Sequence, residues 1–110
     1  MTSVRFLTYE KGLKGFSISG HSSKNCDDLT GKTVCAAVSS AVYMAANTVT
    51  EIIGDKADIE VDDAKMYFCV DNPCDATVKV LEGLKLHLKE LSGQYGNNIK
   101  IYGGANDVKA

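Results

Sequence analysis

The sequence predicts an α+β fold of two layers, a mostly antiparallel sheet packed by two helices, in the order ββαββαβ. Three observations carry this expectation. The segments "VRFLTY" and "GLKGFSISG", and later "ADIEVDD" and "AKMYFCVD", alternate apolar and polar residues at hairpin spacing. Two longer segments, "VCAAVSSAVYMAANTVTEII" and "DATVKVLEGLKLHLKELSGQYG", place apolar residues at helical spacing. A last alternating segment, "NIKIYGG", follows the second of them.

In the first pair, Gly12 and Lys14 suit the turn, and Phe16 and Ile18 then alternate with Ser17 and Ser19. "SSKNCDDLTGKT" has no apolar periodicity and reads as a loop. It is longer than the usual connection of about 4–6 residues, and long ordered loops tend to be lids or binding segments. Thr33 is placed to cap the first helix. Val34, Val38, Ala41, Val42, Ala45, Val49 and Ile52 would form its apolar side, and Gly54 would stop it. Its other faces carry Ala and Ser, which suits close packing on both sides or a subunit interface. The second hairpin turns near Asp62–Asp63, and Asn72–Pro73 breaks the chain. Val78, Leu81, Leu84, Leu88 and Leu91 line one side of the second helix. The tail 105–110 is expected to be loose.

The 110 residues make one domain, 1–110, with 45% hydrophobic and 24% charged residues. A net charge of −2 gives no general electrostatic footprint for nucleic acid or an anionic membrane. Residues 1–10 lack the basic start and apolar run of a secretion signal. The uncharged stretch 33–50 is interrupted by Ser39, Ser40, Asn47 and Thr48, which argues against a membrane span. A cytoplasmic protein with free thiols is expected. Cys26, Cys35, Cys69 and Cys74 are irregularly spaced, with no C-x-x-C. No cofactor or metal is expected. A zinc site from His21, Cys26, Cys35 and Cys74, or a redox pair of Cys26 with Cys35, is the thiol alternative.

The informative stretch is "GHSSKNCDDLTGKTVCAAVSSAV". It sets His21 at a strand end and Cys35 near a helix start. A free thiol has a pKa near 8.5, and a helix N-terminus or an adjacent imidazole favours the thiolate. Unbonded N–H groups of Cys35 and Ala36 at that helix start would serve as an oxyanion hole. The bland alternative is a small core cysteine and a loop histidine. On these residues alone both readings stand. Cys69 is expected to be packed, Cys26 and Cys74 to be ordinary loop and helix-start thiols, His87 to be a surface residue, and Asp62–Asp63 to serve the turn.

"SGH", followed after a polar loop by "TVCAAVSSAV", resembles the ribosomal-processing cysteine protease family, Prp. The resemblance extends over nearly the whole chain. It implies a small cytosolic bacterial homodimer that cuts an N-terminal extension from a precursor, the twenty-seventh protein of the large ribosomal subunit. Cleavage would follow a hydrophobic, Phe-containing motif. The resemblance makes Cys35 the nucleophile and His21 the base, with Gly20 and Ser39 as further motif positions. Residues 22–32 match a mobile segment that orders over substrate. Many members carry an aspartate three residues before the cysteine; this chain has Lys32. Asp27 or Asp28 is then the candidate to orient the imidazole. The departure also motivates a rival, a non-catalytic ribosome-associated dimeric binding module.

Overall fold

The computed structural model describes residues 1–103, so the expected loose tail at 105–110 lies outside them. The elements follow the expected order. They are β1 (Thr2–Tyr9), β2 (Gly12–Ser19), α1 (Leu29–Asn47), β3 (Asp58–Asp62), β4 (Lys65–Cys69), α2 (Asp75–Gln94) and β5 (Ile99–Gly103). The five strands form one sheet in the order β3-β4-β2-β1-β5. Every pairing is antiparallel except β1 with β5, which is parallel.

Side chains alternate across a strand, so residues paired across a sheet share a face. One rung of the inner face joins Phe6, Phe16, Phe68 and Ile59, and the next joins Ile101, Val4, Ile18, Met66 and Val61. The Phe16 and Phe68 rings stack at 5.1 Å, and Phe6 meets Phe16 edge-on at 6.5 Å. Both helices cover this face. α1 buries Val34, Val38, Val42, Ala45 and Ala46, and α2 buries Thr77, Leu81, Leu84 and Leu88. The helices do not cover the β3 edge. Ile59 and Val61 lie on the inner face yet remain 47% and 58% exposed.

The structure corrects the expectation in three places. The first turn is Glu10–Lys11, because Tyr9 pairs with Gly12; Lys14 is instead a bulge in β2 whose carbonyl accepts the Val70 N–H (2.8 Å). α1 begins at Leu29, with Asp28 as its cap, so Thr33 is not the cap. Thr33 instead donates its hydroxyl to the Leu29 carbonyl (2.9 Å). At its other end α1 widens into a π-helical segment, Thr48–Ile53, closed by Gly54 at φ +88°. The wider turn moves Ile52 off the apolar side, where it stands 80% exposed. Leu29–Ile53 is long and apolar enough to cross a membrane by length and composition. In this fold it lies on the sheet, with Val34, Val38, Val42 and Val49 in the core.

Asp55, just past that segment, ties α1 to α2. Its Oδ2 accepts the Cys74 N–H (3.0 Å) and the Thr77 hydroxyl (2.6 Å). Cys74, the residue at the cap of α2, makes no capping bond with its own side chain. Asp55 therefore caps α2 from outside it. Asp55→Ala is expected to lower the unfolding free energy by about 1–2 kcal/mol, read from urea denaturation at unchanged slope.

The Thr77 hydroxyl first, and the Cys74 N–H second, hold the Asp55 carboxyl below its ordinary range. Because the folded value is the lower one, this stabilisation is complete above the unfolded value of about 3.9 and fades as pH falls through the folded value. The stability gap between wild type and Asp55→Asn should therefore narrow on acidification below about pH 4. A gap that is constant down to about pH 2 would contradict this role.

Candidate active site

The chain leaves β2 at Gly20, whose φ is +84°. A side chain there would collide with the Met1 carbonyl oxygen, so glycine is required twice over. The Gly20 N–H donates to the Ala64 carbonyl (2.9 Å), pinning the strand end to the β3–β4 turn. His21 follows, exposed, and its carbonyl accepts the Met1 ammonium (2.6 Å).

Ser22 turns inward and is 2% exposed. Its N–H donates to Cys35 Sγ at 3.1 Å. Its hydroxyl meets Thr2 Oγ1 (2.6 Å) and donates to the Asn98 carbonyl (3.1 Å). Its own carbonyl accepts from Asn98 Nδ2 (3.0 Å).

The loop then closes on Asp28. One carboxylate oxygen of Asp28 accepts the Gly31 N–H and the other the Lys24 N–H, both at 2.9 Å. Those bonds, the Gly31 one foremost, hold the Asp28 carboxyl below its ordinary range. Gly31 is buried against the loop. A Cβ there would overlap Ser23 Cα and approach the Ser22 oxygen to 2.7 Å. Close packing of the loop on the helix thus depends on this glycine.

The early helix start changes the expected chemistry. Cys35 lies in the second turn of α1, not the first. Its N–H and that of Ala36 fall beyond the four unbonded donors of a helix start and are spent in the helix ladder. They do not form an oxyanion hole. The pull of the helix N-terminus is also weaker there, since it fades within the first turn. The donor that reaches the sulfur is the Ser22 N–H. The expected loop of 22–32 shortens accordingly, since residues 29–32 are helical.

Half-buried Cys35 and exposed His21 line one cleft of about 160 Å³, together with Gly20 and Ser39. Ala36 is exposed and lies outside it. The floor is apolar, built from Ile18, Met66 and Val61, and Val38, Val42 and Tyr43 of α1 form one wall. Among the described residues, no hydrogen bond joins the His21 imidazole to Cys35 Sγ, an arrangement that in cysteine and serine hydrolases often tightens only with substrate.

The expected orienting aspartates are elsewhere. Asp28 is committed to the cap, Asp27 lies outside the cleft, and so does Lys32. The acidic residues at the cleft are Asp62 and Asp63, with Lys65 beside them. Sequence reading assigned this pair to the turn alone. The missed signal is register. Ser19 pairs with Lys65, so the β3–β4 turn must lie beside the residues that follow Ser19. Tyr43 was missed as one more residue of an apolar helix.

The remaining thiols form no disulfide with Cys35 and do not line its cleft. Cys26 is exposed in the loop, Cys74 is exposed at the start of α2, and Cys69 is buried in β4. Among the described residues no group of three or more His, Cys, Asp or Glu is arranged to hold a metal ion. His87 is exposed on α2.

Residues 1–100 match the family described as Cysteine protease Prp. No curated protein matches the sequence. Among solved structures the chain is similar to an essential ribosomal processing protease Prp from S. aureus in complex with a covalently linked product peptide. The identity is 20%, the match covers 94% of this chain and 99% of that chain, and the TM-score is 0.80. The S. aureus protease in complex with a substrate peptide gives 19% identity, the same coverage and a TM-score of 0.80. SMU.848 from Streptococcus mutans gives 15% identity, 94% and 93% coverage, and a TM-score of 0.81. At such identities the structures attest the fold, whereas the family match spans most of the sequence. The chain belongs to the Prp family of cysteine proteases.

Proposed function

We propose that this protease removes the N-terminal extension of a bacterial ribosomal protein precursor, the twenty-seventh protein of the large subunit, with Cys35 as nucleophile and His21 as base. The reading places it in the cytoplasm as a homodimer. The observation that carries it is the shared cleft: a half-buried sulfur with an N–H directed at it, and a histidine at the same opening. The S. aureus relative, a ribosomal processing protease, has been captured with a substrate peptide and with a covalently linked product peptide. A covalent step on a cysteine is the chemistry proposed for this chain.

The Cys35 sulfur attacks the scissile carbonyl, and its proton passes to His21. The tetrahedral intermediate collapses, the C–N bond breaks, and His21 returns the proton to the departing amine. Water, deprotonated by His21, then hydrolyses the thioester and frees Cys35. The apolar floor of Ile18, Val61 and Met66 suits a hydrophobic side chain of the substrate. Lys32 lies outside the cleft, so the replaced aspartate does not by itself argue for a non-catalytic binding module.

Cys35→Ala is expected to cut cleavage of a peptide spanning the precursor's extension by about 10³-fold or more, in a protein that still folds but melts at a lower temperature, because the buried Ser22 N–H loses its acceptor. Undiminished cleavage by that variant would sink the assignment. His21→Ala should slow the same assay by about 10²–10⁴-fold. Val61→Lys places a charge on the cleft floor at an edge position that is 58% exposed, where a long side chain can reach solvent. It is expected to lower kcat/KM by about tenfold, mainly through KM, for substrates with an apolar residue at the cut. An effect on kcat alone would place the substrate elsewhere.

A further inference from the structure

The geometry points to Asn98 as a positioning residue for the reaction: through Ser22 it holds an N–H on the sulfur of Cys35. The inference rests on the reading of Cys35 as nucleophile.

Ser22 is a buried polar residue with every hydrogen-bonding group occupied. Its N–H goes to Cys35 Sγ, and its hydroxyl and carbonyl go to Asn98 and Thr2. Asn98 grips it from both sides, accepting the hydroxyl with its main-chain carbonyl and donating its side-chain amide to the Ser22 carbonyl. Asn98 is in turn fixed by two regular elements. Its carbonyl also accepts the Thr2 N–H at the start of β1 (2.8 Å), and its N–H donates to the Tyr95 carbonyl at the end of α2 (2.8 Å). The clamp therefore joins the loop after His21 to β1 and to the end of α2.

The clamp matters because of what the fold lacks at this sulfur. The helix ladder consumes the N–H groups of Cys35 and its neighbours, so the helix start offers no donor there. The Ser22 N–H is the donor to Sγ among the described residues. A hydrogen bond to an ionised acceptor is about twice as strong as one to a neutral acceptor, so this donor favours the thiolate over the thiol. Its value depends on direction, and Ser22 belongs to a loop that would otherwise be free to turn the N–H away. The same residue follows His21 directly, so the clamp also limits where the imidazole can stand.

The test is the rate of iodoacetamide alkylation at Cys35 against pH, read by peptide mass spectrometry in wild type, Asn98→Ala, Ser22→Ala and Thr2→Val. Ser22→Ala keeps the N–H and removes only the hydroxyl clamp. The variants are expected to label about tenfold more slowly than wild type near neutral pH and to converge with it at high pH, where the thiol is ionised regardless. Simple loosening of the structure would act oppositely, exposing the sulfur and speeding alkylation at every pH. If Asn98→Ala does not fold, Ser22→Ala and Thr2→Val decide the matter. Folded variants with the wild-type profile overturn the clamp while leaving Cys35 as nucleophile. Undiminished peptide cleavage by Cys35→Ala overturns the nucleophile itself, and the clamp with it.

Discussion

The register of the three central strands decides where the chemistry falls. Phe6, Phe16 and Phe68 occupy one rung, and the stacked and edge-on rings leave little tolerance for slippage. Slipping β2 by one residue would turn both Phe16 and Ile18 to the open face. With the rung fixed, Ser19 lies opposite Lys65. Gly20 and His21 must then leave the sheet at the β3–β4 turn, under the edge of α1. A hydrophobic constraint in the core thus places a polar residue at the rim.

Two close approaches complete the site from that starting point. Gly20 passes so near Met1 that no side chain fits, and Gly31 lets the loop lie on the helix backbone. Between them, Ser22 is driven into the interior, where a polar residue persists only if its groups are satisfied. Thr2, Asn98 and Cys35 satisfy them. The sulfur is thus part of a buried polar network that also holds the loop. Fold and reactivity share the same bonds.

Much of this was legible in the sequence, and the losses have identifiable causes. Alternation at Phe16 and Ile18 and the leucine stripe of α2 give the elements and their order, because both depend on local periodicity. The parallel pairing of β5 with β1 is not legible, since it joins the two ends of the chain. The first turn of α1 is hidden because Leu29, Thr30 and Lys32 all face solvent, so no apolar period marks it. His21 and Cys35 stood out through their chemistry and through the family motif. Ser22, Asn98, Asp62 and Asp63 did not, because each acquires its role from contacts across the sheet or across the chain. The proposed oxyanion hole failed for the same reason as the helix start: it was built on the wrong first turn.

The claim on which the account turns is a covalent intermediate on Cys35. It is tested most directly by acid-quenching the protein with precursor peptide during turnover and measuring intact and digested mass. The account predicts an adduct with the mass of the N-terminal product, acylated on Cys35 and sensitive to hydroxylamine. An adduct on Cys26 or Cys74, or steady cleavage with no acylated cysteine under single-turnover conditions, would contradict it.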